Sequence, residues 1–285
     1  MPDRPSSETH GPLILGSTGR IGRAFRHLWA SGHWPEAAPP LWHGRHPGPG
    51  IDLAWDMSGA PPTDPQLERC GGLIVLAGGQ GAGTPPDPGH AARLAEAALA
   101  LADRAGIAPV LVASSQAVYA PTPGPHTEAG PRGGQSAYGR AKIVMEDAIA
   151  GRATALRIGN VAGADMLLTN AARGPVRLDR FADGHSPRRC YIGPITLARV
   201  LMALIRADGP LPDAINIAAP GLVEMADLLR AAGQPFDWRD APETALPEMR
   251  LDLTRLAGLM PLDPASGRPE ALISEARAAG WSPAP

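Results

Sequence analysis

The sequence predicts an α/β fold, a doubly wound parallel sheet with a smaller C-terminal lobe. Three observations carry this prediction. Short, wholly apolar runs alternate with helix-patterned stretches through the first half of the chain. The first apolar run ends in a glycine-rich turn, Gly16-Ser17-Thr18-Gly19-Arg20-Ile21-Gly22, and a helical pattern follows at once. Beyond about Gly163 the alternation loosens. A strand covered on both faces is apolar at every position rather than at alternate ones, as parallel sheets sandwiched between helices require.

The elements follow in order. Leu13-Ile14-Leu15 is a short buried strand, and Ile21 to Ser31 carries helical spacing through Ile21, Phe25, Leu28 and Trp29. Pro40 to Gly44 is a weaker strand bounded by prolines, and Ile51 to Met57 a third. Leu73 to Ala77 is a buried strand, Ala91 to Ala105 an Ala/Leu-rich helix stopped by Gly106, and Val110 to Ala113 another buried strand. Pro121 to Gly134 is a Pro/Gly-rich loop, placed where a lid or substrate loop often sits. Ala137 to Ile149 reads as helix and Ala153 to Ile158 as strand. In the second half, Asp165 to Arg189 reads as loops with weak helix. Helices are expected over Ile195 to Arg206, Leu222 to Ala232 and Pro269 to Ala279, with a short strand at Ile215 to Ile217. The implied organisation is a loose tail (1–10), a dinucleotide-binding domain (11–163) and a substrate lobe (164–285), some of whose elements return to the main sheet.

Composition narrows the function classes. The 285 residues have a formal net charge of -2, so no polybasic footprint argues for nucleic acid or an anionic membrane. Apolar residues make up 44% and charged residues 19%, the balance of an ordinary globular protein. No apolar run approaches the ~20 residues that span a bilayer, and the polar start lacks the blocks of a signal peptide. Cys70 and Cys190 lie far apart without metal spacing, which fits a reducing cytoplasm. The histidines form no ligand cluster; His43 and His46 are close, but in an expected loop, so no metal is predicted. Trp34, Trp42 and Trp55 read as packing groups.

The glycine-rich turn sits where a Rossmann-type fold binds a dinucleotide. Gly16 allows the tight turn, Gly19 lets a pyrophosphate approach the backbone, and Gly22 lets helix and strand pack closely. The helix N-terminus then offers N–H donors and partial positive charge to phosphate. Gly16, Thr18, Gly19, Arg20, Ile21 and Gly22 are the expected contacts. The spacing GxxGxxG resembles that of the extended branch of the short-chain dehydrogenase/reductase superfamily, which implies a nicotinamide cofactor. An NAD-preferring site carries an acid after the second strand. Leu41-Trp42-His43-Gly44-Arg45-His46 has none. Arg45 stands where a guanidinium meets a 2′-phosphate, and Arg20 is a second candidate cation, so NADP is expected, with NAD the alternative. Asp56-Met57 resembles the superfamily's pair flanking adenine, and Ala77-Gly78-Gly79 the small residues beside the cofactor.

Tyr138-Gly139-Arg140-Ala141-Lys142 is a YxxxK on an expected helix, and the i,i+4 spacing puts phenol and ammonium on one face. A free phenol has a pKa of ~10, too high for a base at neutral pH; a nearby ammonium favours phenolate. Lys142 would also reach the ribose. Ser115, ending a strand, would bond the reacting oxygen; Ser114 competes for that role and otherwise lies beside the cofactor. Val112-Ala113-Ser114-Ser115-Gln116-Ala117-Val118-Tyr119 resembles the family's strand–serine–VY segment, and Glu128, Pro131 and Glu146 also fit. Leu156 to Gly163 resembles its "LRPxNVYG" segment, with Gly159 where proline is usual, which places Asn160 and Gln116 toward substrate. Arg189-Cys190-Tyr191-Ile192-Gly193-Pro194 resembles its "RDYIHV" segment, whose arginine binds the diphosphate of nucleotide sugars. It departs at Cys190, Gly193 and Thr196, which weakens that assignment for Arg189.

The resemblance, from Leu13 to about Leu256, implies an NAD(P)-dependent epimerase or reductase of a sugar or nucleotide sugar. Dehydration is disfavoured, because Gln116 and Ala117 replace the acid pair such enzymes use. A carbonyl reductase of a non-sugar ketone is the alternative, and a non-catalytic dinucleotide sensor a third reading. The helix at Ala91 to Ala105 and the YxxxK helix form the dimer interface in this superfamily, so a homodimer is implied.

Overall fold

The computed structural model describes residues 11–79 and 87–283; the expected tail, residues 1–10, lies outside them. The first half runs β1 (Leu13–Leu15), α1 (Arg20–Ala30), β2 (Leu41–Gly44), β3 (Leu53–Ala54), β4 (Leu73–Val75), α2 (His90–Ala105), β5 (Val110–Ser115), α3 (Ala137–Ile149) and β6 (Thr154–Ile158). Next come β7 (Asn160–Val161), α4 (Met166–Ala171), β8 (Val176–Arg180), β9 (Arg188–Arg189), β10 (Tyr191–Ile192), α5 (Pro194–Ile205) and β11 (Ala214–Ile217). The chain ends with β12 (Val223–Glu224), α6 (Met225–Ala232), β13 (Phe236–Asp240), β14 (Glu248–Met249), α7 (Thr254–Leu259) and α8 (Pro269–Ala278).

Seven strands form one parallel sheet in the order β11-β6-β5-β4-β1-β2-β3. The chain starts mid-sheet at β1, winds to the β3 edge, then returns to β4 on the other side of β1. This reversal opens a crevice at the carboxyl ends of β1 and β4, the switch point of doubly wound sheets.

The strand sequences follow from burial on both faces. Leu13 and Leu15 point into the core beneath α2 and α3 with Val75 and Val112, whereas Ile14 points to the opposite face with Ile74, Leu111, Phe25 and Leu28. Successive side chains of a strand alternate sides, so two covered faces demand an apolar residue at every position. The second half is interwoven with the first. α5 covers the same face as α1 through Leu197, Val200, Leu201 and Leu204, and β11 extends the sheet beside β6. A separate cluster of Leu168, Leu178, Tyr191, Leu228, Leu229 and Leu272 supports the remaining C-terminal elements.

A buried ionic network holds α3 on the sheet. Arg157 of β6 donates from Nε to Glu146 Oε1 (3.1 Å) and from Nη2 to Glu146 Oε2 (2.8 Å), a bidentate pair. Ser114 of β5 donates to Glu146 Oε1 at 2.5 Å, and Arg157 Nη1 donates to Tyr119 Oη at 2.9 Å. Tyr119 in turn donates to Asn216 Oδ1 of β11 at 2.7 Å. Three strands are thereby tied to one turn of α3.

The structure departs from the sequence expectations in four places. β3 is shorter than the strand expected over 51–57: Asp52 turns its carboxylate back to the Trp42 N–H (2.8 Å), and Met57 sits at φ +62°. His43 lies inside β2 and is buried, not in a loop. The stretch from Asp165 to Arg189 contains β8 and β9 besides α4, and β8 pairs with β13, a strand whose residues are exposed from Asp237 to Asp240. The helix expected from Leu222 begins only at Met225, because Val223 and Glu224 pair with Arg189 and Arg188.

Removing one member of the buried pair leaves the other charge without compensation, which typically costs ~3–5 kcal/mol. Glu146→Gln should therefore lower unfolding stability in urea by about that amount. The double variant Glu146→Gln/Arg157→Met should recover most of it, and equal losses in single and double variants would contradict the pairing.

Candidate functional site

A cavity of about 1040 Å³ opens at the carboxyl ends of the central strands, between the sheet and Asn160, Asp165, Arg189 and Met225. Every candidate residue read from the sequence borders it. The glycine-rich turn, Arg45, Asp56, Met57 and Ala77 to Gly79 line one end; Ser114, Ser115, Gln116, Tyr138, Lys142, Asn160 and Arg189 line the rest.

The turn is held by close backbone packing and one histidine. Gly16 has φ +86°, and a Cβ there would lie 2.6 Å from Ala77 N; a Cβ on Gly22 would lie 2.5 Å from Ser17 Cα. Both positions therefore exclude side chains, and the helix start stays open toward the cavity. Ser17 is fully buried and donates through N and Oγ to the His43 carbonyl (3.0 and 2.8 Å). The Gly16 N–H donates to His43 Nδ1 at 3.0 Å, so the ring proton sits on Nε2, which faces the Trp55 carbonyl at 2.7 Å. Burial lowers the His43 pKa, against the opposing pull of the Trp55 carbonyl. A protonated ring would lose its acceptor for Gly16. Trp55 packs in the core as expected and also borders the cavity, with its indole N–H buried without a partner. The sequence signal for His43 is a polar residue inside an apolar strand, which the nearby prolines and glycines disguise as loop.

The two candidate cations part company. Arg45 is exposed and acts electrostatically on Asp56 at the far end of the cavity. Arg20 turns the other way, with Nη1 3.2 Å from Met166 Sδ, and its charge falls on Tyr138.

Ser136 caps α3 by accepting from Gly139 N (2.9 Å), and α3 presents Tyr138 and Lys142 to the cavity. Ser115 and Tyr138 both line the cavity, and Ser115 Oγ accepts from Ala117 N at 3.2 Å. Lys142 is 3% exposed; Nζ donates to the Ala113 carbonyl at 2.6 Å and lies 5.9 Å from the Tyr138 ring centroid. Burial pulls the Lys142 pKa down to about 8, against the attraction of Glu146. Tyr138 is 40% exposed, and desolvation of its phenol raises the pKa, with the nearby Ser115 and the Arg20 charge opposing. Ser114 donates to Glu146, which leaves Ser115 as the hydroxyl facing Tyr138.

At the opposite wall Arg189 is held by main-chain oxygens. Nη1 donates to Arg188 O (2.8 Å) and Pro247 O (3.4 Å), and Nη2 to Leu246 O (2.8 Å). The departures at Gly193 and Thr196 have a structural cause in Glu275 of α8. Its carboxylate accepts from Thr196 N (2.8 Å) and Thr196 Oγ1 (2.6 Å), and a Cβ on Gly193 would lie 2.1 Å from Glu275 Oε2. Glu275 satisfies the start of α5 and fills the space a larger residue at 193 would take. Sequence reading missed Glu275, and nothing local to it signals the role. It also missed Asp165, which caps α4 and borders the cavity; an aspartate just before Met166-Leu167-Leu168 is the signal that was available. Among the described residues no group of three or more His, Cys, Asp or Glu is placed to hold a metal, and no helix is long and apolar enough to cross a membrane.

No protein-family model and no curated protein sequence matches the chain. Solved structures do. UDP-glucose 4-epimerase from Brucella ovis in complex with NAD superposes with a TM-score of 0.70 at 18% identity, covering 95% of this chain and 98% of that one. MoeE5 in complex with UDP-glucose and NAD gives 0.69 at 19% identity, covering 94% and 98%. A short-chain dehydrogenase/reductase superfamily protein from Agrobacterium tumefaciens with bound NAD gives 0.68 at 17% identity, covering 95% and 97%. At these identities the likeness establishes the fold: this chain has the doubly wound architecture of those proteins over nearly its whole length.

His43 is neutral in the fold, so between the ordinary histidine value of 6.5 and its lowered native value the unfolded chain binds the extra proton. Its contribution is complete above 6.5 and is lost as pH falls through the native value. Unfolding free energy measured from pH 7.5 downward should fall, with a slope approaching about 1.4 kcal/mol per pH unit for one proton. In His43→Asn, which keeps an acceptor for Gly16 but cannot titrate, this component should vanish; an unchanged slope would exclude His43 as its source.

Proposed function

We propose that this chain is an NAD(P)-dependent epimerase or reductase of the extended short-chain dehydrogenase/reductase type, acting on a hydroxyl or keto group of a sugar or nucleotide sugar. The observation that carries the reading is that Ser115, Tyr138 and Lys142, the last one turn along the same helix as Tyr138, line one cavity together with the glycine-rich turn. The solved structures of this fold that hold NAD with UDP-glucose support it.

The residues fit a dinucleotide. The cradle at Gly16 and Gly22 has no room for side chains, the start of α1 faces the cavity, and Trp55 offers an unpaired N–H. Gly16, Thr18, Gly19, Arg20, Ile21 and Gly22 would hold the pyrophosphate, Asp56 and Met57 the adenine, and Lys142 the ribose. A bound nicotinamide supplies the hydride acceptor or donor. Tyr138 exchanges the proton with the substrate oxygen, and Ser115 bonds that oxygen. Arg45, exposed at the adenosine end with no acid closing β2, favours NADP over NAD. Residues 11–163 bind the dinucleotide in this reading, and 164–285 shape the substrate end. The outer faces of α2 and α3 are assigned to a homodimer. The attachment of Arg189 to carbonyls of 188, 246 and 247 favours a second reading, reduction of a non-sugar ketone that needs no diphosphate clamp.

Two measurements test the reading. Tyr138→Phe should reduce turnover of an accepted substrate by ~10²–10⁴ while leaving dinucleotide affinity nearly unchanged, because only the proton-transfer group is removed. Wild-type turnover in that variant would end the assignment. Arg45→Ala should weaken NADPH by ~1–3 kcal/mol in calorimetric titration and leave NADH almost unaffected. Tighter binding of NADH than NADPH by the wild type would refute the preference for NADP.

A further inference from the structure

Among the described residues, four buried side-chain polar atoms lack a hydrogen-bond partner: Trp34 Nε1, Trp55 Nε1, Gln116 Oε1 and Asp165 Oδ1. Three of the four residues border the large cavity. Buried polar atoms in a folded protein are paired, and exceptions mark places where a ligand supplies the partner. Trp55 stands at the glycine-rich end, whereas Gln116 and Asp165 belong to the end that holds Ser115 and Tyr138.

Gln116 and Asp165 each belong to a hydrogen-bonded pair, Gln116 with Asn160 and Asp165 with Tyr191. Tyr191 is 1% exposed, and burial together with the Asp165 charge keeps its phenol protonated. It therefore donates to Asp165 Oδ2, at 3.1 Å. Asn160 turns its Oδ1 toward Gln116. Gln116 Nε2 donates to that oxygen at 3.2 Å, so Gln116 Oε1 is the atom left over. In the second pair Asp165 Oδ2 also accepts from Leu167 N (3.1 Å), and Oδ1 remains. Burial lifts the Asp165 carboxyl to about 6, still below neutrality, so it faces the cavity as an acceptor. The unpaired atoms of both residues, Gln116 Oε1 and Asp165 Oδ1, are acceptors.

We infer that Gln116 and Asp165 are specificity-determining residues for the substrate, and that they accept hydrogen bonds from hydroxyl groups of its reacting sugar ring. This deepens the proposed function and rests on that reading. An acceptor-only group such as a diphosphate is repelled by Asp165, so the ring and not the phosphates lies at this end. A ketone without hydroxyls leaves both acceptors unpaired, and sites built to bond a hydroxyl discriminate strongly against analogues that lack it.

The test is binding, measured by calorimetry on the protein saturated with NADPH or NADH. The probes are UDP-, dTDP- and GDP-hexoses, each against its own nucleoside diphosphate and against monodeoxy analogues of the hexose that binds best. The wild type should bind that hexose at least about tenfold more tightly than the bare nucleotide, the gain expected from one or two bonds to a buried acceptor. Asp165→Asn, which still caps α4 but places an amide where Oδ1 was, should abolish most of the gain and leave nucleotide binding intact. Gln116→Met should do the same. Removing the ring hydroxyl that meets Asp165 should matter in the wild type and hardly at all in Asp165→Asn. The inference is overturned if no hexose outbinds its nucleotide, if both variants keep the wild-type gain, or if they weaken nucleotide and hexose alike, as a merely structural role would. Failure of the enzymatic reading shows elsewhere, as turnover that survives Tyr138→Phe, and leaves this comparison readable.

Discussion

The bidentate pair between Glu146 and Arg157 is the interaction on which the arrangement of the cavity depends. It joins α3 to β6 at a point where both side chains are almost fully enclosed. Ser114, Tyr119 and Asn216 complete the lone pairs and protons that such a pair leaves open, so the charges are compensated rather than merely adjacent. Tyr138 and Lys142 lie on the preceding turns of the same helix. Their position over the ends of β5 and β6 is set by this anchor and by the Ser136 cap at the helix start.

At the other end of the cavity the same logic works with neutral groups. His43 receives the Gly16 N–H on one ring nitrogen and meets the Trp55 carbonyl with the other, while its own carbonyl takes both donors of Ser17. One residue of β2 thus fixes the first turn of the chain and the strand beyond it. The arrangement works only for the neutral ring, and burial keeps it so. The cavity lies between these two well-satisfied supports, and three of its own wall residues carry unpaired polar atoms. Rigid surroundings with unpaired groups gathered at the cavity are the expected form of a site prepared for a polar ligand.

The second half of the chain is not an appendage. α5 and β11 are structural members of the main sheet and its cover, and Glu275 from α8 completes the start of α5. The Tyr191–Asp165 contact then connects the floor of the C-terminal elements to the rim of the cavity. A change in α8 or β10 therefore reaches the cavity through packed, hydrogen-bonded groups.

The sequence by itself determined the sheet, the glycine-rich turn and the set of residues gathered at the cavity. Each is written locally: a doubly buried strand must be apolar throughout, a tight turn against a neighbouring strand must be glycine, and a four-residue spacing on a helix puts Tyr138 and Lys142 on one side. What the sequence could not determine was direction and partnership. Arg20 and Arg45 are both cations near phosphate-binding elements, yet only the packed structure turns one toward Tyr138 and the other toward Asp56. β8 and β13 are far apart in the chain and partly exposed, so neither strand announces itself until the two are paired. Glu275 lies 79 residues from Thr196, and the Gln116–Asn160 and Tyr191–Asp165 pairs each join distant segments, so only tertiary structure decided which acceptors were left free.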